Sequence, residues 1–102
     1  MRKAEQKERA KEILRQIDEQ IAKANEEAAE LARASLVDFG GEATTKEDLK
    51  KHKGLELYIL DMRTRFYAAW DIIDGLGIMT NDEIYKYIMQ LHKERRENRR
   101  KE

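Results

Sequence analysis

The sequence predicts an all-α fold: a long antiparallel helical hairpin with a shorter third helix, forming a three-helix bundle with a coiled-coil-like seam. Three observations predict it. The 102 residues include no proline and 41% are charged, which suits long helices because proline breaks helix interiors and most charged residues favour helix. Apolar residues recur at spacings of three and four, and glycines and capping residues divide this pattern into three segments. A chain of this length typically forms one domain, here residues 1–102.

The first helix is predicted over residues about 3–38. Its apolar residues alternate in spacing between four and three, which is the a and d pattern of a coiled coil. This seam comprises Ala10, Leu14, Ile17, Ile21, Ala24, Ala28, Leu31 and Ser35. Because its second half consists of small residues, a neighbouring helix can approach closely there, but each layer buries little area. We expect the helix to end at Gly40.

The second helix is predicted over residues about 45–74, opened by a capping box of Thr44 and Glu47. Gly54 is its weak point, since a glycine inside a helix costs about 1 kcal/mol relative to alanine. Beyond it, one apolar line reaches the helix end: Leu55, Ile59, Met62, Phe66, Ala69 and Ile73. Three further residues widen that line: Leu60, Tyr67 and Trp70. We therefore expect this helix to be central in the bundle.

The segment DIIDGLGIMTNDE, residues 71–83, partly matches the calcium-binding loop of an EF-hand. With Gly77 at position 6, oxygen ligands fall at positions 3, 9 and 12, but Ile72 and Leu76 occupy positions 1 and 5, where ligands are required. We therefore expect a helix end here instead of a calcium site, with Leu76 packed back on Trp70.

The third helix is predicted over residues about 80–98. Gly75 or Gly77 supplies the left-handed residue that ends the second helix. Thr80 and Glu83 then form a capping box, with Met79 packed against Ile84 as a hydrophobic staple. The apolar face of this helix comprises Ile84, Tyr87, Ile88 and Leu91, and the helix is entirely polar after His92, to which we assign no role.

Aligning the helices leaves one end of the hairpin uncovered. If residue 38 lies opposite residue 46, the third helix runs parallel to the first, with Leu91 level with Ile21. The apolar residues beyond that level are Ala24, Ala28, Leu31, Leu36 and Val37 on the first helix and Leu49, Leu55, Leu57 and Tyr58 on the second. A contiguous exposed apolar patch usually marks a protein contact.

This patch predicts self-association, most simply as a twofold homodimer, because isologous pairs are the commonest oligomers. The predicted contact residues are Ala24, Ala28, Leu31, Leu55 and Tyr58. The alternative is that the third helix bends, or that residues 44–54 fold back, to cover the patch.

Tyrosine, tryptophan and arginine dominate interface energetics, although aromatic residues at helical spacing more often lie in a core. Tyr85 cannot face the same way as Ile84 and Ile88. We therefore predict that Tyr85 and the flanking Met89 contact a partner protein.

The charge is unevenly distributed although the 21 basic and 21 acidic residues balance. Both ends are basic, and residues 13–48 carry four basic and nine acidic side chains. Clustered arginines neutralise phosphates, so Arg95, Arg96, Arg99 and Arg100 are candidate phosphate contacts. The competing interpretation is that they pair with Glu26, Glu27 and Glu30, or form a solvated helix end whose charge suits the helix dipole.

No catalytic, metal or cofactor site is predicted. The absence of cysteine excludes thiolate catalysis and cysteine-ligated zinc. Asp48, His52 and Glu56 share a helix face, but such residues in a lysine-rich segment are more often solvated. The fragment LRQIDEQI, residues 14–21, resembles the opening helix of all-helical chorismate mutases. That family requires cationic side chains converging on a dicarboxylate, and Arg15 has no companions at the expected downstream spacing.

We therefore interpret the sequence as a non-enzymatic helical protein: an adaptor, regulator or inhibitor that acts through self-association and a partner surface. The alternative is a nucleic-acid-binding accessory protein that uses its basic termini. No stretch reaches the roughly 18 apolar residues of a membrane span, and the first residues lack an apolar signal segment. We expect a cytoplasmic protein that does not enter a membrane.

Overall fold

The computed structural model describes residues 2–37 and 46–101. These form three α-helices: α1 (Lys3–Val37), α2 (Lys46–Gly75) and α3 (Asn81–Lys101). The all-α fold is thereby confirmed; the start of α1, the end of α2 and the start of α3 lie within one turn of the predicted positions. The expected end of the first helix at Gly40 and the N-cap at Thr44 lie outside the described residues.

The molecule is elongated. It measures 59 × 30 × 19 Å with a radius of gyration of 17.5 Å, against about 13 Å for a compact domain of 100 residues. The length follows from α1, since 35 residues of α-helix extend about 52 Å. α1 packs most extensively against α2, whereas α3 makes few close approaches to either.

The core lies at the end where all three helices meet. Its buried residues are Ala10, Leu14, Phe66, Ile73, Met79, Ile84 and Ile88. Leu14 of α1 and Ile84 of α3 are fully enclosed. The predicted seam continues along α1, with Ile17 and Ile21 packed against the core and Ala24 buried. α2 runs through Gly54 without interruption.

The connection between α2 and α3 has the geometry of a Schellman motif. Gly77, with a φ of 70°, occupies the left-handed position. Its amide donates to the carbonyl of Asp74, and the amide of Ile78 donates to the carbonyl of Ile73, both at 3.0 Å. Ile78, and not Leu76 as expected, is the residue that packs back on the core, because it occupies the position after the left-handed glycine; Leu76 is exposed.

α3 begins with the predicted capping box. The Glu83 amide donates to Thr80 Oγ1 at 3.1 Å, and the Thr80 amide donates to Glu83 Oε1 at 3.3 Å. Met79 and Ile84 are both buried, as a hydrophobic staple requires. Glu83 also accepts a hydrogen bond from Lys7 of α1 at 2.8 Å. This bond, together with the Thr80 amide, lowers the pKa of Glu83.

The register of α3 along α1 differs from the expected alignment. Four side-chain contacts join these helices, between residues 73 to 77 positions apart in sequence, whereas the alignment implied 70. Arg95 therefore lies beside Asp18 and not level with Asn25. α3 is displaced by about one turn toward the N-terminus of α1, so its apolar face covers less of the hairpin than expected.

Within the described residues, no helix contains an apolar stretch long enough to cross a membrane.

Candidate functional site

A groove opens between α2 and α3, with α1 as its floor. It encloses a cavity of about 450 Å³ lined by all three helices. This volume lies within the range of about 300–1,000 Å³ that is usual for binding pockets. We call it the α2–α3 groove.

The α2 wall is a second line of side chains, distinct from the one that faces the core. It comprises Arg63, Tyr67 and Trp70, at spacings of four and three, with Phe66 at its base. Phe66 makes edge-on contacts with the Tyr67 and Trp70 rings, at 6.0 and 6.1 Å between centroids. Trp70 Nε1 donates to Asn81 Oδ1 at 2.7 Å, which joins the wall to the start of α3. Exposed Leu60 continues the line at the same spacing.

The α3 wall is a matching second line at spacings of four and three, formed by Tyr85, Met89, His92 and Arg96. Tyr85 is 56% exposed and Met89 is 42% exposed. The structure thus places both predicted partner-contact residues on this wall, with their apolar surfaces open to solvent; the contact itself stays a prediction.

The floor consists of α1 residues that also recur at spacings of four and three: Asp18, Ala22, Asn25 and Ala29. Small residues here leave the space above α1 open. Two further cavities, of about 470 and 340 Å³, continue the groove along α1 past Met89 and Arg99, and they share Asn25 with the main cavity.

Asp18 forms a buried polar cluster in this floor. It is only 7% exposed. His92 Nε2 donates to Asp18 Oδ1 at 3.0 Å, and Arg95 Nη2 donates to Asp18 Oδ2 at 2.5 Å. The carboxylate thus accepts hydrogen bonds from two side chains, and a buried acid requires such donors. His92, which we expected to have no role, is half-buried and joins α3 to α1.

The spacing of Asp18 carried a signal for this cluster. Asp18 lies four residues after Leu14 and seven before Asn25, and so it shares the face of α1 that meets α3. An acid on a face shared with a core leucine predicts a partner on the neighbouring helix. Which residue of α3 supplies that partner could not be predicted, because it depends on the register of α3 along α1.

The four candidate phosphate contacts divide into two pairs. Arg95 is bound to Asp18, and Arg99 forms an ion pair with Glu26 of α1. Arg96 and Arg100 are exposed and form no ion pair within the described part of the chain. Pairing with the acidic stretch of α1 therefore occurs for Arg99, as the competing interpretation expected.

The arginine of the fragment that resembles chorismate mutases, Arg15, lies on the α1 surface. Arg15 donates to Glu12 and, at 2.6 Å, to Glu19, and these bonds raise its pKa, with Glu12 the larger cause. Arg15 does not line the α2–α3 groove. Arg15 is thus paired within its own helix.

The predicted self-association residues lie at the far end of the hairpin, which we define as Ala24–Leu31 of α1 with Leu55–Tyr58 of α2. Ala24 is buried within the single chain, and Ala28, Leu31 and Leu55 are half-buried. Tyr58 is exposed, with its hydroxyl donating to Gln20 Oε1 at 3.1 Å. Leu57 points outward and is 59% exposed. The side chains of Leu36, Val37 and Leu49 lie outside the described residues.

For the metal-ligand pattern on α2, the structure describes two of the three residues. His52 Nδ1 lies 3.2 Å from Glu56 Oε1, and both are exposed to a large extent. The Asp48 side chain is outside the description. No cluster of three metal-binding side chains occurs among the residues described.

No protein-family model, curated protein or solved structure matches this chain.

Proposed function

We propose that this protein is a non-enzymatic binding module, an adaptor, regulator or inhibitor, that holds an α-helix of another protein in the α2–α3 groove. One observation carries the proposal. Each of the three helices directs a second line of side chains, at spacings of three and four, into the same open groove. Such spacing is how helices meet helices in bundles and coiled coils.

The groove has the form of a four-helix bundle from which one helix is missing. In such bundles each helix contacts two neighbours, about 8–10 Å away. α1 packs extensively along α2, whereas α3 makes few close approaches to either helix, and an open cavity remains between α2 and α3. A helix laid between them would cover Tyr67, Tyr85 and Met89, and recognition of an amphipathic helix in an apolar groove is a common mode of protein binding.

The proposal is tested by selection from a displayed library of designed helices of about 18 residues, which extend about 27 Å. The apolar stripe of each helix is varied, and the purified full chain is the bait. We expect helices to be recovered that bind with measurable affinity, and Tyr85→Ser or Met89→Gln to weaken binding by about 5- to 30-fold, which corresponds to about 1–2 kcal/mol.

The matched control is Ile72→Ser. Ile72 is an exposed apolar residue of α2 that does not line the groove. Its replacement is expected to leave the affinity unchanged. Failure to recover any helix, or equal loss of binding with Ile72→Ser, would contradict the proposal.

Self-association belongs to the same proposal but to a different surface. We propose that two chains pair through the far end of the hairpin, where Leu57 and Tyr58 are exposed and the seam residues of α1 are small. The displacement of α3 toward the N-terminus of α1 supports this pairing. It places the far end of the hairpin farther from α3 than the expected alignment did, so α3 does not cover Leu57 and Tyr58. Such a protein would act in the cytoplasm.

The nucleic-acid alternative has weaker support. Two of its four arginines are engaged by Asp18 and Glu26, and a phosphate backbone would leave the apolar walls of the groove in water. A nucleic-acid binder would lose affinity steeply with rising salt, and a helix-binding module would show little affinity for DNA or RNA at physiological salt.

A further inference from the structure

The two walls of the α2–α3 groove carry arginines whose charge no acidic residue in the described ranges neutralises. Arg63 lies on the α2 wall of the main cavity, and Arg96 lies on the α3 wall where the groove continues into the adjoining cavity between α1 and α3. Both are exposed, and within residues 2–37 and 46–101 neither forms an ion pair. The other basic side chains along the groove are paired with acids: Arg95 and His92 bind Asp18, and Arg99 binds Glu26.

The distribution of charge across the groove is therefore layered. The floor is balanced, because the carboxylate of Asp18 meets its cations there. The base of the walls is apolar, with Phe66 on α2 and Ile88 on α3. The rims are positive on both sides. An occupant must bury apolar groups at the base and meet cations along its edges.

We infer that the occupant is an amphipathic helix with acidic residues along both edges of its apolar stripe, with Arg63 meeting one edge and Arg96 the other. This inference rests on the proposed function and specifies its partner. A helix satisfies the layering because its apolar stripe and its two flanks are separated by rotation about one axis. In coiled coils, charges that flank the seam set partner choice in the same way.

Two other occupants fit less well. A nucleic acid would satisfy both arginines but would leave Tyr67, Tyr85 and Met89 without apolar contact. A second copy of this chain would have to offer a helix with acidic edges on an exposed apolar line. The exposed apolar residues of α2, from Leu57 to Tyr67, instead have Arg63 within their line and Arg65 as well as Asp61 beside it.

The test is a second library in which the apolar stripe is held and each edge position is Glu, Gln or Lys. It is selected on the wild-type chain and on Arg63→Glu/Arg96→Glu. On wild type we expect Glu to be enriched at both edges, and on the double variant we expect Lys. For a recovered acidic helix, each single reversal is expected to reduce affinity by about two- to fivefold, the range of an exposed ion pair.

The control is Arg65→Glu/Arg100→Glu, which reverses two exposed arginines on the same helices outside the α2–α3 groove. Arg65 pairs with Asp61 of its own helix at 3.2 Å, so this variant also removes that ion pair. It is expected to keep the Glu preference of wild type. Circular dichroism of all variants checks that helix content is unchanged, as expected for exposed positions.

The possible outcomes separate the two proposals. Recovered helices with no edge preference overturn the inference of an acidic partner and leave the helix-binding groove intact. A Lys preference on wild type overturns it too. If no helix is recovered, the proposed function itself fails. A wild-type dimer that Arg63→Glu/Arg96→Glu dissociates would show a second copy in the groove and would also overturn the inference.

Discussion

Asp18 is the residue that connects the floor of the α2–α3 groove to the position of α3. A buried carboxylate requires donors, and His92 and Arg95 provide them from successive turns of α3. These contacts favour a single register of α3 on α1, because a slide by one turn would separate them. A side chain in the middle of the molecule thus determines where the α3 wall stands.

Replacing this carboxylate is expected to loosen α3. Asp18→Ala leaves His92 and Arg95 without their acceptor, and we predict a loss of about 1–3 kcal/mol in the free energy of unfolding. The loss is at the lower end if water reaches Arg95, which is partly exposed. Urea unfolding followed by circular dichroism measures it. Glu27→Ala, at an exposed acid of the same helix, is the control and should change stability by less than about 0.5 kcal/mol. Equal effects would contradict the assigned role.

At the scale of elements, the connection between α2 and α3 is fixed by local chemistry. Gly77 takes the left-handed conformation, and Thr80 and Glu83 satisfy the first amides of α3. Both devices depend only on neighbouring residues. They set the direction in which α3 leaves α2, and hence the width of the α2–α3 groove near Trp70.

Two glycine substitutions should act in opposite directions. Gly77→Ala is expected to destabilise by about 1–2 kcal/mol, because a Cβ disfavours a positive φ. Gly75→Ala is expected to be neutral or to stabilise by up to about 1 kcal/mol, since Gly75 is helical and alanine is the better helix former. No atom lies near the added Cβ at either site. Thermal unfolding of both variants measures the difference, and the same sign for both would contradict this account of the turn.

The contact between Glu83 and Lys7 predicts a dependence of stability on pH. The folded-state pKa of Glu83 lies below its ordinary value of 4.5, chiefly because Lys7 donates to it. A depressed pKa means that the contribution is fully present above the ordinary value and is lost as the pH falls through the folded-state pKa. Wild type should therefore be more stable than Glu83→Gln at pH 7, and the two should converge as the pH falls below 4.5. Denaturation at a series of pH values tests this, and a constant difference down to low pH would refute it.

At the scale of the whole molecule, α3 covers one end of an elongated hairpin, and Leu57 and Tyr58 of α2 are exposed at the far end. We predict a dimer at micromolar concentration that Leu57→Lys dissociates, because a charge at the centre of an apolar contact is costly to bury. Ile72→Lys places the same charge at a similarly exposed position of α2 outside this surface. Sedimentation equilibrium distinguishes the two variants, and a monomeric wild type would contradict the predicted pairing.

The features predictable from the sequence are those that depend on spacing and on neighbours. Helix limits, the seam of α1 and the Thr80 capping box all follow from which residues share a face or adjoin a turn. The register of α3 cannot be predicted in this way. When α3 slides by about one turn along α1, its side chains again face nearly the same side of α1, so the residue spacing fits both positions. Tyr85 and Met89 could therefore be assigned to an outward face from the sequence. The Asp18 cluster and the α2–α3 groove could not be predicted without knowing the register of α3.

Trp70 offers the most direct test of the central claim, that the α2–α3 groove receives a helix. It is the one tryptophan of the chain and lines that groove. When a selected helix is titrated into the protein, the emission of Trp70 should shift to shorter wavelength and its quenching by acrylamide should fall, both saturating with binding. Saturable binding, measured independently, that leaves the emission and quenching of Trp70 unchanged would contradict the claim.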